Sequence, residues 1–276
     1  MRQFLCDSFP DNTGKLVVKG KNYRYLVKVL RFAEGEELDG RLPDGKLVRF
    51  YVERVQQQQM SAVLRLVSPE AVHTDEDEPL SNAANSAKTT QGVQASEVQG
   101  IANRMPELWL FQFLPKPQKM DLIVRQATEC GVRYIVPISG AYSLKGDSSG
   151  RKERWERIIR EARQQCGSAV ATEIKEVLSV RAAAEMWKKN AEALVSCAFL
   201  LDENPSAGKA SLSCINKAEM AAAALAVGCE GGISDEERDV LFEAGFMPLH
   251  FTTNVLRAET ASLYGIAVIQ QFLSAD

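Results

Sequence analysis

Leu108-Trp109-Leu110-Phe111-Gln112-Phe113-Leu114, then the segment from Gln118 to Cys130 closed by Gly131, then Tyr134-Ile135-Val136-Pro137-Ile138, set the pattern of this chain. The first and third are apolar runs of strand length. The second has helix length and ends at a glycine. A further helical pattern from Arg151 to Cys166 stops at Gly167. Such alternation predicts a largely parallel sheet with helices on its faces, because parallel neighbours need long crossover connections. Strand-like Leu194 to Leu201, Ala222 to Val227 and Phe246 to Phe251 continue it, Ser234 and Glu237 begin a helix as a capping box, and a last helix runs from about Glu259 to Leu273. Residues 107–276 are therefore expected to form an α/β domain.

Upstream the texture changes. Short β-like runs at Lys15 to Lys19, Glu37 to Leu42, Leu47 to Val55 and Ser61 to Val67 are punctuated by Pro43-Asp44-Gly45, a strong turn signal. One helix interrupts them, with Asn22 as its N-cap and Tyr23, Leu26, Val27 and Leu30 as its apolar stripe. Arg24, Lys28 and Arg31 then fall at i, i+4 and i+7 on one exposed face, a spacing able to track a phosphate backbone. Residues 1–67 read as a small β-barrel. Between the two units, residues 68–106 are acidic (Thr74-Asp75-Glu76-Asp77-Glu78-Pro79) and then rich in Ser, Asn, Ala, Thr and Gln, the composition of a linker or tolerated insertion.

At 276 residues with 45% hydrophobic content, the chain is long enough for two cores. Its net charge of −3 is unevenly spread: +4 over residues 1–66, −5 over 67–107 and −2 over 108–276. A basic module beside a near-neutral one suits attachment to a polyanion, although ordinary solvated lysines give the same totals. The cysteines Cys6, Cys130, Cys166, Cys197, Cys214 and Cys229 form no Cys-x-x-Cys, and no His stands at ligand spacing, which predicts reduced thiols and no metal. With no eighteen-residue apolar run and no signal-peptide pattern, the expected location is cytoplasmic, with no membrane partner.

In open α/β sheets ligands bind beyond the carboxyl ends of the strands. Two such loops stand out. Gly228-Cys229-Glu230-Gly231-Gly232 concentrates glycines that let main-chain groups approach a ligand. Asn254-Val255-Leu256-Arg257-Ala258-Glu259-Thr260-Ala261 leads into the final helix and offers free N–H donors beside a cation and a carboxylate. Read singly, the first is more often just a tight turn, and the second more often a helix start with a surface ion-pair partner.

Five motifs carry a resemblance. The first loop matches Gly-Pro-Glu-Gly-Gly at Gly228, Glu230, Gly231 and Gly232, with Cys229 for proline. The second matches Leu-Arg-x-Glu-Thr-Ala in full at Leu256 to Ala261. Val29-Leu30-Arg31, then Lys119-Met120, Thr128-Glu129 and Gly131-Val132, and then Gln165-Cys166-Gly167 agree as well. Over nearly its whole length the chain resembles the bacterial 16S rRNA uridine-N3 methyltransferases of the SPOUT class. The pattern departs at Gln126, Ser168, Tyr142-Ser143-Leu144 and Thr252-Thr253, positions bearing on RNA contact more than on the cofactor.

The resemblance implies a SPOUT methyltransferase domain with a C-terminal trefoil knot, preceded by a small PUA-like β-barrel domain that helps bind RNA. The implied cofactor is S-adenosylmethionine, held by Leu200, Leu201, Val227, Gly228, Cys229, Glu230, Gly231, Gly232, Thr252, Asn254, Val255, Leu256, Arg257, Glu259, Thr260 and Ala261. Arg24, Lys28, Arg31, Lys116 and Lys119 are the expected RNA contacts, and 16S rRNA or the small ribosomal subunit the expected partner. A homodimer is implied, with Leu263, Ile266, Ile269 and Phe272 as its seam, although the same spacing suits burial within one subunit.

For chemistry, Arg257 is the candidate that favours the uridine anion through O2 or O4. Glu259 or Glu230 is the candidate proton acceptor, poorly matched at an ordinary carboxylate pKa of about 4.3. His73 and His250 are not expected to act as bases. The helix Arg151 to Cys166 buries Trp155, Ile158, Ile159 and Ala162, and its arginines, interleaved with Glu153, Glu156 and Glu161, suit either an RNA face or a solvated one. Rival readings are a related enzyme acting on another RNA position or a ribose hydroxyl, and an RNA-binding assembly factor without catalysis. A nucleotide-dependent dehydrogenase or Rossmann-type methyltransferase is disfavoured, as no Gly-x-Gly-x-x-Gly follows a first strand.

Overall fold

The structure is a computed structural model that describes residues 3–67, 105–143, 150–203 and 220–274. It divides into two compact units, one before and one after about residue 104. Most of the acidic segment 68–106, with His73, lies outside the described residues, as do Leu144 and Cys214.

In the first unit, β1 (Phe4–Leu5), β2 (Lys15–Lys19), β3 (Glu37–Arg41), β4 (Leu47–Gln56) and β5 (Ser61–Leu66) form one sheet in the order β1-β3-β4-β5-β2. β1, which the sequence did not announce, runs parallel to β3, and the other pairs are antiparallel. Alternate residues turn inward, so Phe4, Leu16, Val18, Leu38, Phe50, Val52 and Leu64 meet in one core with Leu26.

The helix in this unit departs from expectation. It begins at Gly20, so Asn22 lies inside it and is no N-cap; its amide instead reaches the Asp7 carboxylate. After α1 (Gly20–Arg24) the backbone continues as a π-turn over Tyr25–Val29, with Leu30 N–H donating to Tyr25 O at 2.9 Å. Arg31 then takes a left-handed φ of 64° beyond the helix end. The wider turn keeps Tyr23 and Leu26 buried. It also breaks the i, i+4, i+7 geometry: Arg24, Lys28 and Arg31 are each exposed but do not form one α-helical face.

The second unit alternates β6 (Glu107–Phe113), α2 (Pro117–Glu129), β7 (Tyr134–Ser139), α3 (Arg151–Cys166), short β8 (Glu173–Ile174) and β9 (Leu178–Ser179), α4 (Val180–Ala193), β10 (Ser196–Leu201), β11 (Ala222–Val227), α5 (Asp235–Glu243), β12 (Phe246–Leu249) and α6 (Ala258–Ser274). The strands run in the order β12-β10-β11-β6-β7-β8, with β9 also on β7, and every pairing is parallel. Side chains from alternate strand positions feed two cores. Leu108, Leu110, Phe199 and Leu225 pack under α2, α3 and α6, whereas Trp109, Phe111, Phe113, Ala224 and Phe246 pack under α4 and α5.

Local chemistry sets the ends of these elements. Gly131 and Gly167 both adopt positive φ where helices stop, and Ser234 and Glu237 complete the expected capping box. α4 was not anticipated, yet Ser179 caps it by accepting from Ala182 N–H at 3.3 Å, and Ala183, Ala184 and Trp187 bury one stripe. β10 starts at Ser196 because Leu194 and Val195 are exposed. β12 ends at Leu249 because His250 turns to place Nδ1 3.0 Å from Asp202 O. Ile266 and Ile269, half of the expected dimer seam, are buried in this unit's own core, while Leu263 and Phe272 are half-buried.

Candidate active site

Because all strands of the second unit are parallel, the loops after β6, β7, β10, β11 and β12 leave the sheet at one edge. A cleft of about 160 Å³ opens there. The end of β10, the glycine turn after β11 and the loop from β12 to α6 line it together. Of the expected cofactor residues, Leu200, Leu201, Val227, Gly228, Cys229, Gly232, Asn254, Val255, Leu256 and Ala261 face this space. Glu230, Gly231, Thr252, Arg257, Glu259 and Thr260 belong to the same two loops but are not among the lining residues.

The glycine turn is tight. Gly232 N–H donates to Cys229 O at 3.0 Å, and Gly232 carries a φ of 78° with open space where a side chain would begin. A Cβ on Gly231 would stand 2.8 Å from Tyr142 Cβ, so the turn also nests against the loop after β7. Cys229 is buried and its Sγ lies 3.6 Å from Gly232 O. Burial pushes that thiol up, which keeps it protonated.

Several long-range contacts that sequence reasoning missed hold the cleft in shape. Gln112 is fully buried in β6. Its Nε2 donates to Phe113 O at 2.9 Å and to Val227 O and Gly228 O at 3.3 Å, and its Oε1 accepts from Ser262 Oγ at 2.6 Å. One amide thus ties the glycine turn to the last helix. The available signal was a lone polar residue inside Leu-Trp-Leu-Phe-Gln-Phe-Leu. Asp202, buried at the floor, pairs with Arg238 Nη1 at 2.7 Å, and both line the cleft with His250. Glu237 caps α5 and also accepts from Ala141 N–H at 2.7 Å, which anchors the β7 loop. At Gly265 of α6 a Cβ would lie 2.7 Å from Leu225, so the final helix rests directly on β11.

Glu230 and Glu259, the candidate proton acceptors, are both shifted toward the ionised form. Partial burial pushes Glu230 up, but its own N–H, that of Lys116 and the Lys119 ammonium outweigh this and hold it below its ordinary range. Glu259 follows the same balance, with its own N–H, Lys119 and Arg257 outweighing burial. Lys119 joins them, 3.3 Å from Glu230 and 3.1 Å from Glu259. One of the expected RNA contacts, Lys119 is half-buried in these ion pairs, while Lys116 is exposed. Arg257 is exposed at the start of α6, between the cleft-lining Leu256 and Ala258.

The arginines of α3 divide in the same way: Arg154 pairs with Asp121, so the helix does not present a uniform cationic face. Among the described residues no group of three or more His, Cys, Asp or Glu is placed to hold a metal, and no helix is long and apolar enough to cross a membrane.

Fold and cleft together define an α/β domain with a cleft among the loops at the carboxyl edge of a parallel sheet. Residues 103–270 match the family model of the RNA methyltransferase domain, and the chain belongs to that family. It is 29% identical over 180 residues to ribosomal RNA small subunit methyltransferase E of Aquifex aeolicus, covering 63% of this chain and 74% of that protein. It is 26% identical over 170 residues to the protein of the same name from Bacillus subtilis, covering 59% of this chain and 65% of that one. The fold is shared with the crystal structure of ribosomal RNA small subunit methyltransferase E from Neisseria gonorrhoeae bound to S-adenosyl methionine: TM-score 0.73, 21% identity, 98% of this chain and 97% of that one.

Proposed function

We propose that this chain transfers a methyl group from S-adenosylmethionine to N3 of a uridine in the 16S rRNA of the small ribosomal subunit. The observation that carries the reading is the meeting of the glycine turn and the Leu-Arg-x-Glu-Thr-Ala loop in one cleft. The cleft fits the cofactor: apolar walls from Leu200, Leu249 and Leu256, free space at Gly232 and a polar end at Asp202 and Arg238 suit a nucleoside with a charged tail. Bound there, S-adenosylmethionine supplies an electrophilic methyl.

The protein's part is orientation and electrostatics. The two loops fix where the methyl points, and alignment with a nucleophile provides much of the rate. Arg257 donates to uridine O2 or O4 and favours the N3 anion. Since main-chain N–H donors together with Lys119 hold Glu230 and Glu259 ionised, they shape the loops, and the N3 proton leaves to water. The proposal includes a PUA-like barrel closed from the first unit, a threaded final helix, a homodimer and a cytoplasmic location. The bridge from Gln112 to both Gly228 O and Ser262 holds the glycine turn and α6 together in the interior. Exposed Arg24, Lys28, Arg31 and Lys116 support RNA attachment.

Deleting the gene and mapping rRNA by mass spectrometry tests the whole reading. Loss of one N3-methyluridine, restored by the intact gene, is expected. An unchanged modification profile, or purified protein that fails to bind S-adenosylmethionine in a calorimeter, overturns it, the latter in favour of a non-catalytic RNA-binding role.

A further inference from the structure

Lys119 sits in the first turn of α2, yet its ammonium is spent on the two loops of the cleft. Glu230 belongs to the glycine turn and Glu259 to the start of α6, and their neighbours Cys229 and Ala258 line the cavity. The three side chains are largely withdrawn from water, with relative exposures of 26%, 32% and 17%. Lys116 N–H adds a main-chain donor to Glu230 at 3.3 Å from the positive end of the same helix. Without the cation, two carboxylates on adjoining loops would repel each other.

We infer that Lys119 is a positioning residue, a cationic clasp that fixes the two cofactor loops against each other and so sets affinity for the methyl donor rather than for RNA. The inference rests on the cleft being the S-adenosylmethionine site, and it predicts that loop order depends on Lys119 before any ligand arrives. Lys119→Met keeps the aliphatic stem and removes the charge, while Lys119→Arg restores a cation.

Three measurements on the full chain test it. Amide exchange in the cofactor-free protein is expected to speed up at residues 228–232 and 257–261 in Lys119→Met and to stay near wild type in Lys119→Arg. Calorimetric affinity for S-adenosylmethionine should fall on the order of 10-fold in Lys119→Met, the effect of two partly buried ion pairs, with most of it recovered in Lys119→Arg. Affinity for an rRNA fragment, and its salt dependence, should be unchanged. Wild-type exchange at both loops in Lys119→Met overturns the clasp. A reduced salt slope for RNA binding overturns it too, and makes Lys119 a phosphate contact. Wild-type protein that does not bind S-adenosylmethionine refutes the functional reading, and the exchange experiment then judges the clasp separately.

Discussion

Replacing Gln112 by leucine removes four hydrogen bonds from a fully buried position with little change in volume. Two are short, 2.9 Å to Phe113 O and 2.6 Å from Ser262 Oγ, and two are longer, 3.3 Å to Val227 O and Gly228 O. Ser262 keeps a second acceptor in Ala258 O at 2.9 Å, so that hydroxyl is not orphaned. The short bonds contribute ~1 kcal/mol each, and carbonyls left dry add roughly another 1 kcal/mol, for a loss of about 3 kcal/mol. In a unit of this size that lowers Tm by roughly 6–12 °C. The chain's three tryptophans, Trp109, Trp155 and Trp187, all lie buried in the second unit, so their fluorescence follows that unit's unfolding. Thermal or urea melts read by tryptophan emission therefore give the number directly. A Tm change below about 2 °C would refute the claim that this amide braces the interior beneath the cleft.

Arg257→Ala is expected to abolish methylation while leaving the calorimetric Kd for S-adenosylmethionine nearly intact; a variant that turns over at the wild-type rate removes Arg257 from the mechanism. Gly231→Ala forces a Cβ to 2.8 Å from Tyr142 Cβ and should weaken cofactor binding, and adding Tyr142→Gly, which removes that Cβ, should recover much of the loss, so purely additive effects would deny the contact. Glu230 and Glu259 are both held below their ordinary 4.5 in the folded chain, so their stabilising contribution is complete above about 4.5 and disappears as pH falls through the lower folded values. Loop amide protection should accordingly be flat from pH 5 to 8, corrected for intrinsic exchange, and fall only in more acid solution; a decline already under way between pH 7 and 5 contradicts the assignment.

Much of the second unit was legible because its signals are local. Gly131 and Gly167 end helices, Ser234 and Glu237 start one, and apolar runs mark β6, β7 and β11. The two loops that line the cleft were legible as glycines and a charged helix start placed after strands. Where such signals are faint, the reading failed. β1, β8 and β9 are two-residue strands with no periodicity to detect, and they exist because a neighbouring strand pairs with them. The π-turn at Tyr25–Val29 looks like an α-helix in composition, since an i+5 bond leaves no residue signature, and so the face of Arg24, Lys28 and Arg31 was misjudged.

The sequence by itself determined the alternation of strands and helices, the division into two units and the chemistry available in each loop, because these depend on neighbours within a few turns of chain. Which loops meet was decided only in three dimensions. Gln112 reaches Gly228 and Ser262, Lys119 reaches Glu230 and Glu259, and Asp202 reaches Arg238 and His250 across sequence separations that no periodicity encodes. The parallel order β12-β10-β11-β6-β7 brings those positions to one sheet edge. Burial there makes an amide, a cation and a carboxylate cooperate, groups that in an extended chain would each be satisfied by water.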